Sequence, residues 1–362
     1  MKNGKIEFLR FIFSIVIVLF HCGKDFLPHV FFSKGVHISL FAHGAVGVEF
    51  FFMLSGLLMA RTAYKNIAKP ASGEALFKEH TAFMSRKYMS IFPVHCIGFV
   101  FAFISSCLLS AYRGSKIAWY FLDSIPNLFL VQMSGLRYRD PNNIEWYISC
   151  MLIVMAVLYP VLRKSYYGFT RYAAPVLSLM IIGWIIQTTG GLTGVMEWSG
   201  LCYKSLLRAF ADISLGATAY ELSAVLGKTT FSKSRKVFLT VLEWLIYTAV
   251  IAFALFNLPT KYEGLIPFLL LPALALSFSG KTGFPERWNH QWIFFLGKLS
   301  LPIYVSQRSA IYLTHYFFSS FSPWQSVWVA FELTIIVSLI VYALSVLCKK
   351  IKVRAHNPEK SV

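Results

Sequence analysis

The chain has 362 residues, of which 57% are hydrophobic and only 14% charged, and its formal net charge is +18. A soluble domain carries nearer a quarter charged residues, so this composition excludes an ordinary soluble protein and indicates a polytopic helical membrane protein. The excess of Lys and Arg lies in short loops between apolar blocks, which is typical of cytoplasmic loops in membrane proteins. We therefore expect no nucleic-acid partner.

Ten apolar blocks predict an all-α transmembrane bundle of about ten spans. They cover residues 6–24, 44–61, 86–111, 144–162, 173–189, 203–222, 237–257, 264–280, 291–313 and 325–348. The block 119–134 is shorter and contains Asp123, Pro126 and Asn127, so we interpret it as an interfacial or re-entrant segment. Residues 1–348 are expected to form one membrane-embedded domain, followed by a basic cytoplasmic tail at 349–362.

The distribution of basic residues sets the orientation. With the N-terminus inside, the inner segments hold 22 Lys and Arg and the outer loops hold seven. An eleventh span at 119–134 would invert every later loop and remove this bias. The positive-inside rule therefore predicts that both termini are cytoplasmic.

The first block could also be taken for a signal peptide, because two lysines precede an apolar core that ends at Cys22. Arg10 interrupts that core, and the bulky Phe20 and His21 do not suit a processing site before the cysteine. We expect a retained first helix. The six cysteines have no CxxC spacing, so we expect neither a disulfide framework nor a bound metal.

The first span holds a cation and an imidazole eleven residues apart, Arg10 and His21. Eleven residues make about three helical turns, so the side chains share one face and stand roughly 16 Å apart along the axis. Such groups inside a span are expensive unless they line a protein interior or a watered cavity. Arginine binds phosphate in a fork and neutral imidazole accepts a proton from a hydroxyl, which suits a phosphorylated donor entering from the cytoplasm. The alternative is that Arg10 reaches the inner headgroups and His21 only caps the helix.

Further candidates follow in the second and third spans. Glu49 is an acid between aromatic residues inside a span, so it needs a partner, which we expect to be Arg10, His21 or another cation. Ser55 lies in the same helix, where it can hydrogen-bond across helices. Arg86 and Lys87 stand at the cytoplasmic start of the third span, where they either bind phosphate or only anchor the helix.

Other polar residues are expected to be structural. Arg208 and Asp212 stand four residues apart in the sixth span, a spacing typical of a structural ion pair. Arg308 lies inside the ninth span and is expected to face protein. We expect the histidines of the first outer loop to be solvated rather than to form a metal cluster.

Five stretches form a pattern along the chain. They are Arg10 and His21 with ten residues between them, GAVGVEFFFMLSG at 44–56, the stretch from Arg86 to Pro93, NNIEWYISCMLIVMAVLYP at 142–160, and FLGKLSLPIYVSQ at 295–307. Together they resemble the motifs of the integral-membrane acyltransferase family 3, whose members move acetyl or other acyl groups onto sugars of surface polysaccharides. The resemblance covers essentially the whole chain.

Three positions depart from the family's motifs. Ser90 stands where a second arginine is usual, so phosphate binding in that stretch depends on Arg86 and Lys87. Met151 replaces a glutamate that many members carry. Gln307 replaces a frequent histidine, so we expect no catalytic role there.

The resemblance implies a fold and a reaction. The protein would be an O-acyltransferase of the cell membrane, expected to be a bacterial cytoplasmic membrane. It would move an acyl group, with acetyl expected, from cytoplasmic acyl-CoA to a hydroxyl of a cell-surface or lipid-linked glycan. Acyl-CoA is then a co-substrate, and no bound cofactor is expected. Arg10, Arg86 and Lys87 would hold its phosphates, and Ser55 and Trp146 would contact substrate.

The proposed chemistry centres on His21, which would either remove the hydroxyl proton as general base or form a covalent acyl-histidine intermediate. Glu49 would orient this histidine or tune its charge. Two alternatives stay open. One is a carrier or exporter of a polar lipid or glycan, although no internal repeat like those of many transporters is visible. The other is a membrane sensor or scaffold without turnover.

The predicted topology can be tested by cysteine labelling from outside the cell. We expect a membrane-impermeant thiol reagent to reach cysteines introduced near Gly190 and Pro323, because both positions adjoin spans at the predicted outer surface. A cysteine near Lys233 should stay unlabelled. Labelling at Lys233 from outside would overturn the ten-span topology.

Overall fold

The computed structural model describes most of the chain. The described residues are 3–27, 30–32, 36–38, 41–136, 138–200, 202–256, 258–283 and 288–356, with the backbone alone for 30–32, 36–38 and 352–356. Within them the helices are α1 (Gly4–Phe26), α2 (Gly47–Lys65), α3 (Gly73–Leu109), α4 (Ser115–Asp123), α5 (Ile125–Leu128), α6 (Trp146–Lys164), α7 (Tyr166–Gly168), α8 (Ala174–Thr189), α9 (Lys204–Lys228), α10 (Lys233–Leu255), α11 (Ile266–Ser279), α12 (Gln291–Phe317) and α13 (Pro323–His356).

Short elements join these helices. A π-helical turn at Phe169–Ala173 connects α7 to α8, and 3-10 turns lie at Gly44–Val46, Gln132–Ser134 and Thr260–Leu265. Two small antiparallel hairpins complete the described fold, β1 (Val30–Phe32) with β2 (Val36–Ile38) and β3 (Trp198–Ser199) with β4 (Cys202–Tyr203). Phe31 pairs with His37 in the first hairpin, and Ser199 pairs with Cys202 in the second.

Eight described helical segments are long and apolar enough to cross a membrane. They comprise α1, α2, α3, α6, α10, α13 and the composite segments 166–189 and 260–279. The helices α9 and α12 are also long enough, with 25 and 27 residues, but they carry more polar side chains. The prediction of a polytopic helical bundle is confirmed, and ten long helical segments coincide with the ten predicted spans.

The contacts between helix ends follow the alternation of a polytopic bundle. At one face, the start of α1 meets the end of α11, where the Asn3 side-chain amide donates to the Ser277 carbonyl at 2.9 Å. Lys5 donates to both carboxylate oxygens of Glu243 in α10 at 2.7 and 2.8 Å. At the opposite face, Thr260 donates to the Gly190 carbonyl at the end of α8 at 2.9 Å. The side of the membrane that each face occupies stays a prediction.

The ambiguous block at 119–134 does not form a long helix. It is divided among α4, α5 and the 3-10 turn at Gln132–Ser134, and α5 has only four residues. Pro126 stands in the first turn of α5, where a proline is tolerated but prevents continuation of α4. The block therefore lies outside the set of long apolar helices, as its composition predicts.

The helix α3 is longer than its predicted span. It begins at Gly73, thirteen residues before the predicted start at 86, and has 37 residues. The added segment is polar but rich in good helix formers, so a prediction from hydropathy alone starts the helix too late in the chain. Glu79 in this extension accepts from Tyr159 at 2.6 Å and from Arg163 at 2.7 Å, which fastens α3 to the end of α6.

The histidines of the first outer loop are only partly described. His29 lies outside the described residues, and for His37 the structure gives the backbone alone. His43 is buried, and its Nδ1 lies 2.8 Å from a carboxylate oxygen of Glu263. The expectation of solvated loop histidines is therefore wrong for His43, because this end of the loop packs onto the 3-10 turn before α11.

The centre of the bundle is the contact between α2 and α9, the most extensive among the helices described. Both helices carry small residues at the crossing, which lets their backbones approach closely. A Cβ atom at Gly56 would overlap the backbone carbonyl of Ile213, and one at Gly216 would overlap that of Met53. Among the eight long apolar segments, α10 and α13 are the least buried and face outward.

The close crossing predicts a strong effect of one methyl group. Gly216→Ala should lower the thermal midpoint of the purified protein, because overpacking at a tight site costs typically about 1–3 kcal/mol. The matched control is Gly183→Ala in α8, where the added Cβ meets no atom within 4 Å. That variant should match or exceed wild type, since alanine is the better helix former by about 1 kcal/mol. Equal shifts in both variants would contradict the close crossing.

Candidate active site

One face of α1 lines two separate cavities at opposite ends of the bundle. Asn3, Glu7 and Arg10 line the first, near the start of α1, which we call the inner cavity. Ile17, His21 and Lys24 line the second, near the end of α1, which we call the outer cavity. These positions recur every three or four residues, which is the spacing of one helical face. The sequence prediction that Arg10 and His21 share a face is consistent with this arrangement. The structure does not bring the two side chains together but assigns each to its own cavity.

The inner cavity has a volume of about 430 Å³ and lies at the end of the bundle predicted to be cytoplasmic. Three cations and one acid line it, which gives the lining a net charge of +2: Arg10, Arg61, Lys87 and Glu7. Its opposite wall is apolar and aromatic, with Phe51, Tyr147, Met151 and Tyr304. The cavity therefore offers anion-binding groups at one end and an apolar slot at the other.

The cations of the inner cavity differ in how they are paired. Arg10 donates to the Glu7 carboxylate at 2.8 Å and remains about one-third exposed. Arg61 and Lys87 have no ion-pair partner within the described part of the chain. Two unneutralised cations at the wall of a cavity attract an anionic ligand.

Arg61 was missed as a site residue, because its sequence position is that of an ordinary cytoplasmic anchor. It stands at the end of α2, three residues after Leu58 and six after Ser55, and all three line the inner cavity. Six residues place Arg61 about 120° around the helix from Ser55, so this spacing does not identify it, and its neighbour Leu58 was not a predicted site residue either. Ser55 itself donates to the Met151 sulfur at 3.1 Å.

Arg86 is placed differently from its neighbour. Its side chain is exposed and lines none of the cavities described here, whereas Lys87 lines the inner cavity. Adjacent helical residues point about 100° apart, so only one of the two can face the cavity. The predicted phosphate-binding set is thus brought together for Arg10 and Lys87 but not for Arg86.

The outer cavity has a volume of about 590 Å³, and about half of its lining residues are polar. They include His21, Asn143, Glu197, Arg208 and Arg308. These groups come from four helices or their adjoining loops, and they supply both donors and acceptors. Such a lining suits a ligand with many hydroxyl groups.

His21 is the partly exposed imidazole of this cavity. Neither ring nitrogen has a hydrogen-bond partner within the described residues, and the ring contacts Phe20 edge-on at 5.0 Å between centroids. The helix continues to Phe26, so His21 is not the helix cap that the alternative interpretation required. The imidazole is therefore free to accept a hydrogen bond from a ligand.

Glu49 does not contact His21. It is fully buried and forms a bidentate ion pair with Arg208, at 2.7 Å from Nε and 2.6 Å from Nη2. Arg208 also donates to the carbonyls of Ala45 and Leu192, and its guanidinium lies 5.5 Å from the Trp146 ring centroid. The predicted role of Glu49 in tuning His21 is not supported by this position. The carboxylate instead holds Arg208 against the outer cavity.

The expectation of an ion pair between Arg208 and Asp212 is wrong. Both carboxylate oxygens of Asp212 are buried without a hydrogen-bond partner among the described residues. The i, i+4 spacing permits a pair on an isolated helix, but Glu49 from α2 meets the guanidinium fork directly. Arg308, expected to face protein, pairs with Asp25 at 2.6 Å and lines the outer cavity.

The loop before α6 forms one wall of the outer cavity. Asp140 accepts from the backbone N–H groups of Asn142 and Asn143 at 3.0 and 2.7 Å, and Asn143 faces the cavity. Burial, together with the nearby charge of Glu145, raises the pKa of the Asp140 carboxyl to about 7. Glu145 in turn lies 2.8 Å from His95 in α3, which fixes the loop to the bundle.

Comparison with known families gives one finding. The profile of the acyltransferase family 3, described as an acyltransferase domain, matches residues 3–348. The chain belongs to this family. It is therefore a membrane acyltransferase, which confirms the resemblance noted in its motifs. Curated proteins and solved structures yield no significant match, so the family match stands alone.

The buried ion pair predicts an asymmetric mutational response. Glu49→Leu should destabilise the acyltransferase by about 3–5 kcal/mol, because it leaves the Arg208 guanidinium buried without a counter-charge. The double variant Glu49→Leu/Arg208→Met should lose less than the single variant. Thermal midpoints in detergent measure both.

The control for these two variants is the exposed ion pair between Glu74 and Lys78 at the start of α3. Glu74→Leu should change the thermal midpoint little, since exposed pairs contribute about 0–1 kcal/mol. A Glu49→Leu protein as stable as Glu74→Leu would contradict a central role for the buried pair.

Proposed function

We propose that this acyltransferase moves an acyl group, with acetyl as the natural one, from cytoplasmic acyl-CoA to a hydroxyl of a cell-surface or lipid-linked glycan. The observation that carries the proposal is the His21 imidazole in the outer cavity, which has no hydrogen-bond partner among the described residues. It lies on the face of α1 that also supplies Arg10 to the cationic inner cavity. The membrane would be the cytoplasmic membrane of a bacterium. Family membership makes a carrier without acyl transfer the weaker hypothesis.

The inner cavity suits the donor. Coenzyme A carries phosphates, and Arg10, Arg61 and Lys87 supply charge-assisted donors for them. Beyond the cations, Tyr147 and Tyr304 form an aromatic wall that suits the uncharged arm bearing the thioester. A donor bound in this way would point its reactive end away from the cytoplasm and toward the outer cavity.

The outer cavity suits the acceptor. Asn143, Glu197 and Arg308 offer hydrogen-bonding groups around His21, and sugars are recognised through their hydroxyls. Trp146 lies at the same cavity and presents an aromatic surface against which a sugar ring can pack. This fits the predicted substrate contact of Trp146, whereas the predicted contact of Ser55 belongs to the donor side.

In the proposed reaction, a nitrogen of the His21 imidazole accepts the proton of the acceptor hydroxyl as the oxygen attacks the thioester carbonyl carbon. The new C–O bond forms, the C–S bond breaks, and the coenzyme A thiolate takes up the proton from the imidazolium. Arg208 also lines this cavity, and its positive charge would stabilise the negative charge that develops on the carbonyl oxygen. In a covalent route, a His21 nitrogen attacks the thioester carbonyl carbon and the C–S bond breaks to release the coenzyme A thiolate. The acceptor oxygen then attacks the acyl-histidine, the C–O bond forms as the C–N bond breaks, and the hydroxyl proton is passed to the thiolate.

The role of His21 is tested by His21→Gln. Glutamine keeps hydrogen-bonding capacity but cannot act as a base near neutral pH, so transfer should fall by about 10²–10⁴-fold. Binding of acyl-CoA and the thermal midpoint should stay near wild type. Transfer is measured with purified protein, acyl-CoA and a soluble glycan acceptor.

The matched control is His315→Gln. This histidine lies near the end of α12 and packs against Phe26 without lining either cavity. It should retain normal transfer. Near-normal transfer by His21→Gln would show that His21 is not the general base.

The donor site is tested by comparing neighbouring cations. Arg61→Ala, Lys87→Ala and Arg10→Ala should each weaken acyl-CoA binding about ten- to a hundred-fold, because a hydrogen bond to a charged group contributes about 1.5–3 kcal/mol. Arg86→Ala is the control, since its side chain is exposed and outside the cavity. Equal losses in Arg86→Ala and Lys87→Ala would contradict this donor site.

A further inference from the structure

The inner and outer cavities meet at a single side chain. Tyr304 of α12 is the one residue, among those described, that lines both. Residues on its inner side include Ser300 and Leu301, and Arg308 lies one turn further on its outer side. The barrier between the cavities is therefore about one aromatic ring thick at this point.

The Tyr304 ring is held in place by specific contacts. Its hydroxyl donates a hydrogen bond to the backbone carbonyl of Ile144, in the loop before α6. Its ring meets the edge of the Tyr147 ring at 5.6 Å between centroids, and Tyr147 packs on Phe52 at 4.9 Å. The residue is 6% exposed. An aromatic layer from α2, α6 and α12 thus closes the passage.

The first helix packs against α12 and α2 at the level of this aromatic layer. Ser14 lies on α1 between Arg10 and His21, and its hydroxyl donates to the Arg10 carbonyl at 2.8 Å and lies 3.2 Å from the Ser300 carbonyl of α12. Phe13 beside it stacks on Phe50 of α2 at 4.4 Å between centroids. The backbone of α1 is therefore packed tightly at this level. Tyr304, in contrast, is a side chain whose polar end is held by one hydrogen bond, from its hydroxyl to Ile144.

The proposed reaction cannot occur across a closed layer. Reacting atoms must come within about 3–3.5 Å of each other, yet the donor cavity and His21 lie on opposite sides of Tyr304. We infer that the Tyr304 ring is the constriction through which the acyl group passes to the outer cavity, and that its size limits which acyl groups are transferred. This inference rests on the proposed acyl transfer but adds a specificity-determining residue to it.

Two variants distinguish the effect of the Tyr304 ring from the effect of its hydrogen bond. Tyr304→Ala removes the ring and joins the two cavities. Tyr304→Phe keeps the ring and loses only the hydrogen bond to Ile144. The control is Tyr342→Ala in α13, where the ring packs on Phe295 and lines neither cavity.

The first readout needs no enzymatic activity. In a protein whose six cysteines are replaced by serine or alanine, Val48→Cys places a thiol in the outer cavity. A small membrane-impermeant methanethiosulfonate is added at the cytoplasmic face of inside-out vesicles. The reagent should not label this thiol in a protein with the native Tyr304 or in Tyr304→Phe, because both keep the aromatic ring.

The ring-free background should behave differently. In Tyr304→Ala the same thiol should be labelled at least about tenfold faster, because truncation of a large buried side chain leaves a cavity that admits small molecules. Added coenzyme A should slow this labelling, since it would occupy the inner cavity through which the reagent enters. Tyr342→Ala should label as slowly as the intact background.

The second readout is acyl-chain selectivity. Wild type should prefer acetyl-CoA to hexanoyl-CoA, and Tyr304→Ala should shift the ratio of the two kcat/KM values toward hexanoyl by about tenfold or more, since even one methylene group changes selectivity by about that factor at a tight site. Tyr304→Phe and Tyr342→Ala should keep the wild-type ratio.

The two readouts distinguish the failure of this inference from the failure of the proposed function. Unchanged labelling of Val48→Cys in Tyr304→Ala, or fast labelling already behind the intact tyrosine, would overturn the constriction. So would an unchanged acyl-chain ratio in an active Tyr304→Ala enzyme. Absence of acyl transfer in wild type, together with the expected labelling change, would instead refute the proposed reaction and leave the barrier in place.

Discussion

The bidentate ion pair between Glu49 and Arg208 fastens the start of α2 to the start of α9, beside the outer cavity. Both groups are buried, so each charge depends on the other for compensation, and the pair holds the two helices together roughly 10 Å along α2 from their close crossing at Gly56 and Gly216. The same guanidinium reaches the carbonyls of Ala45 and Leu192 and forms part of the outer cavity. Packing of the two central helices and the electrostatics of the site therefore depend on one contact.

The face of α1 extends this organisation along the bundle. A stripe of polar residues on one side of the helix supplies Arg10 to a cationic cavity at one end and His21 to a second cavity at the other. The two cavities are separated by a thin aromatic layer at Tyr304. The proposed transfer from a cytoplasmic donor to an outer acceptor would use these features as a donor site at one end, a base at the other, and an opening between them.

Much of the fold could be predicted from the sequence, because apolar length and the distribution of Lys and Arg reflect the bilayer directly. The shared face of Arg10 and His21 followed from helical spacing in the same way. The partner of Glu49 did not, since Arg208 lies 159 residues away and only the packing of α2 on α9 brings them together. Arg86 and Lys87 could not be separated either, because a hydropathy pattern does not specify which of two adjacent cations faces a cavity.

The most direct test of the account is transfer across a sealed bilayer. Purified protein is reconstituted in one orientation into proteoliposomes, with acyl-CoA supplied only at the face predicted to be cytoplasmic and a glycan acceptor only at the opposite face. Transfer through the bundle should give acylated glycan in the acceptor compartment and free coenzyme A in the donor compartment, in equal amounts. Product that forms only when donor and acceptor share one compartment would contradict transfer through the bundle.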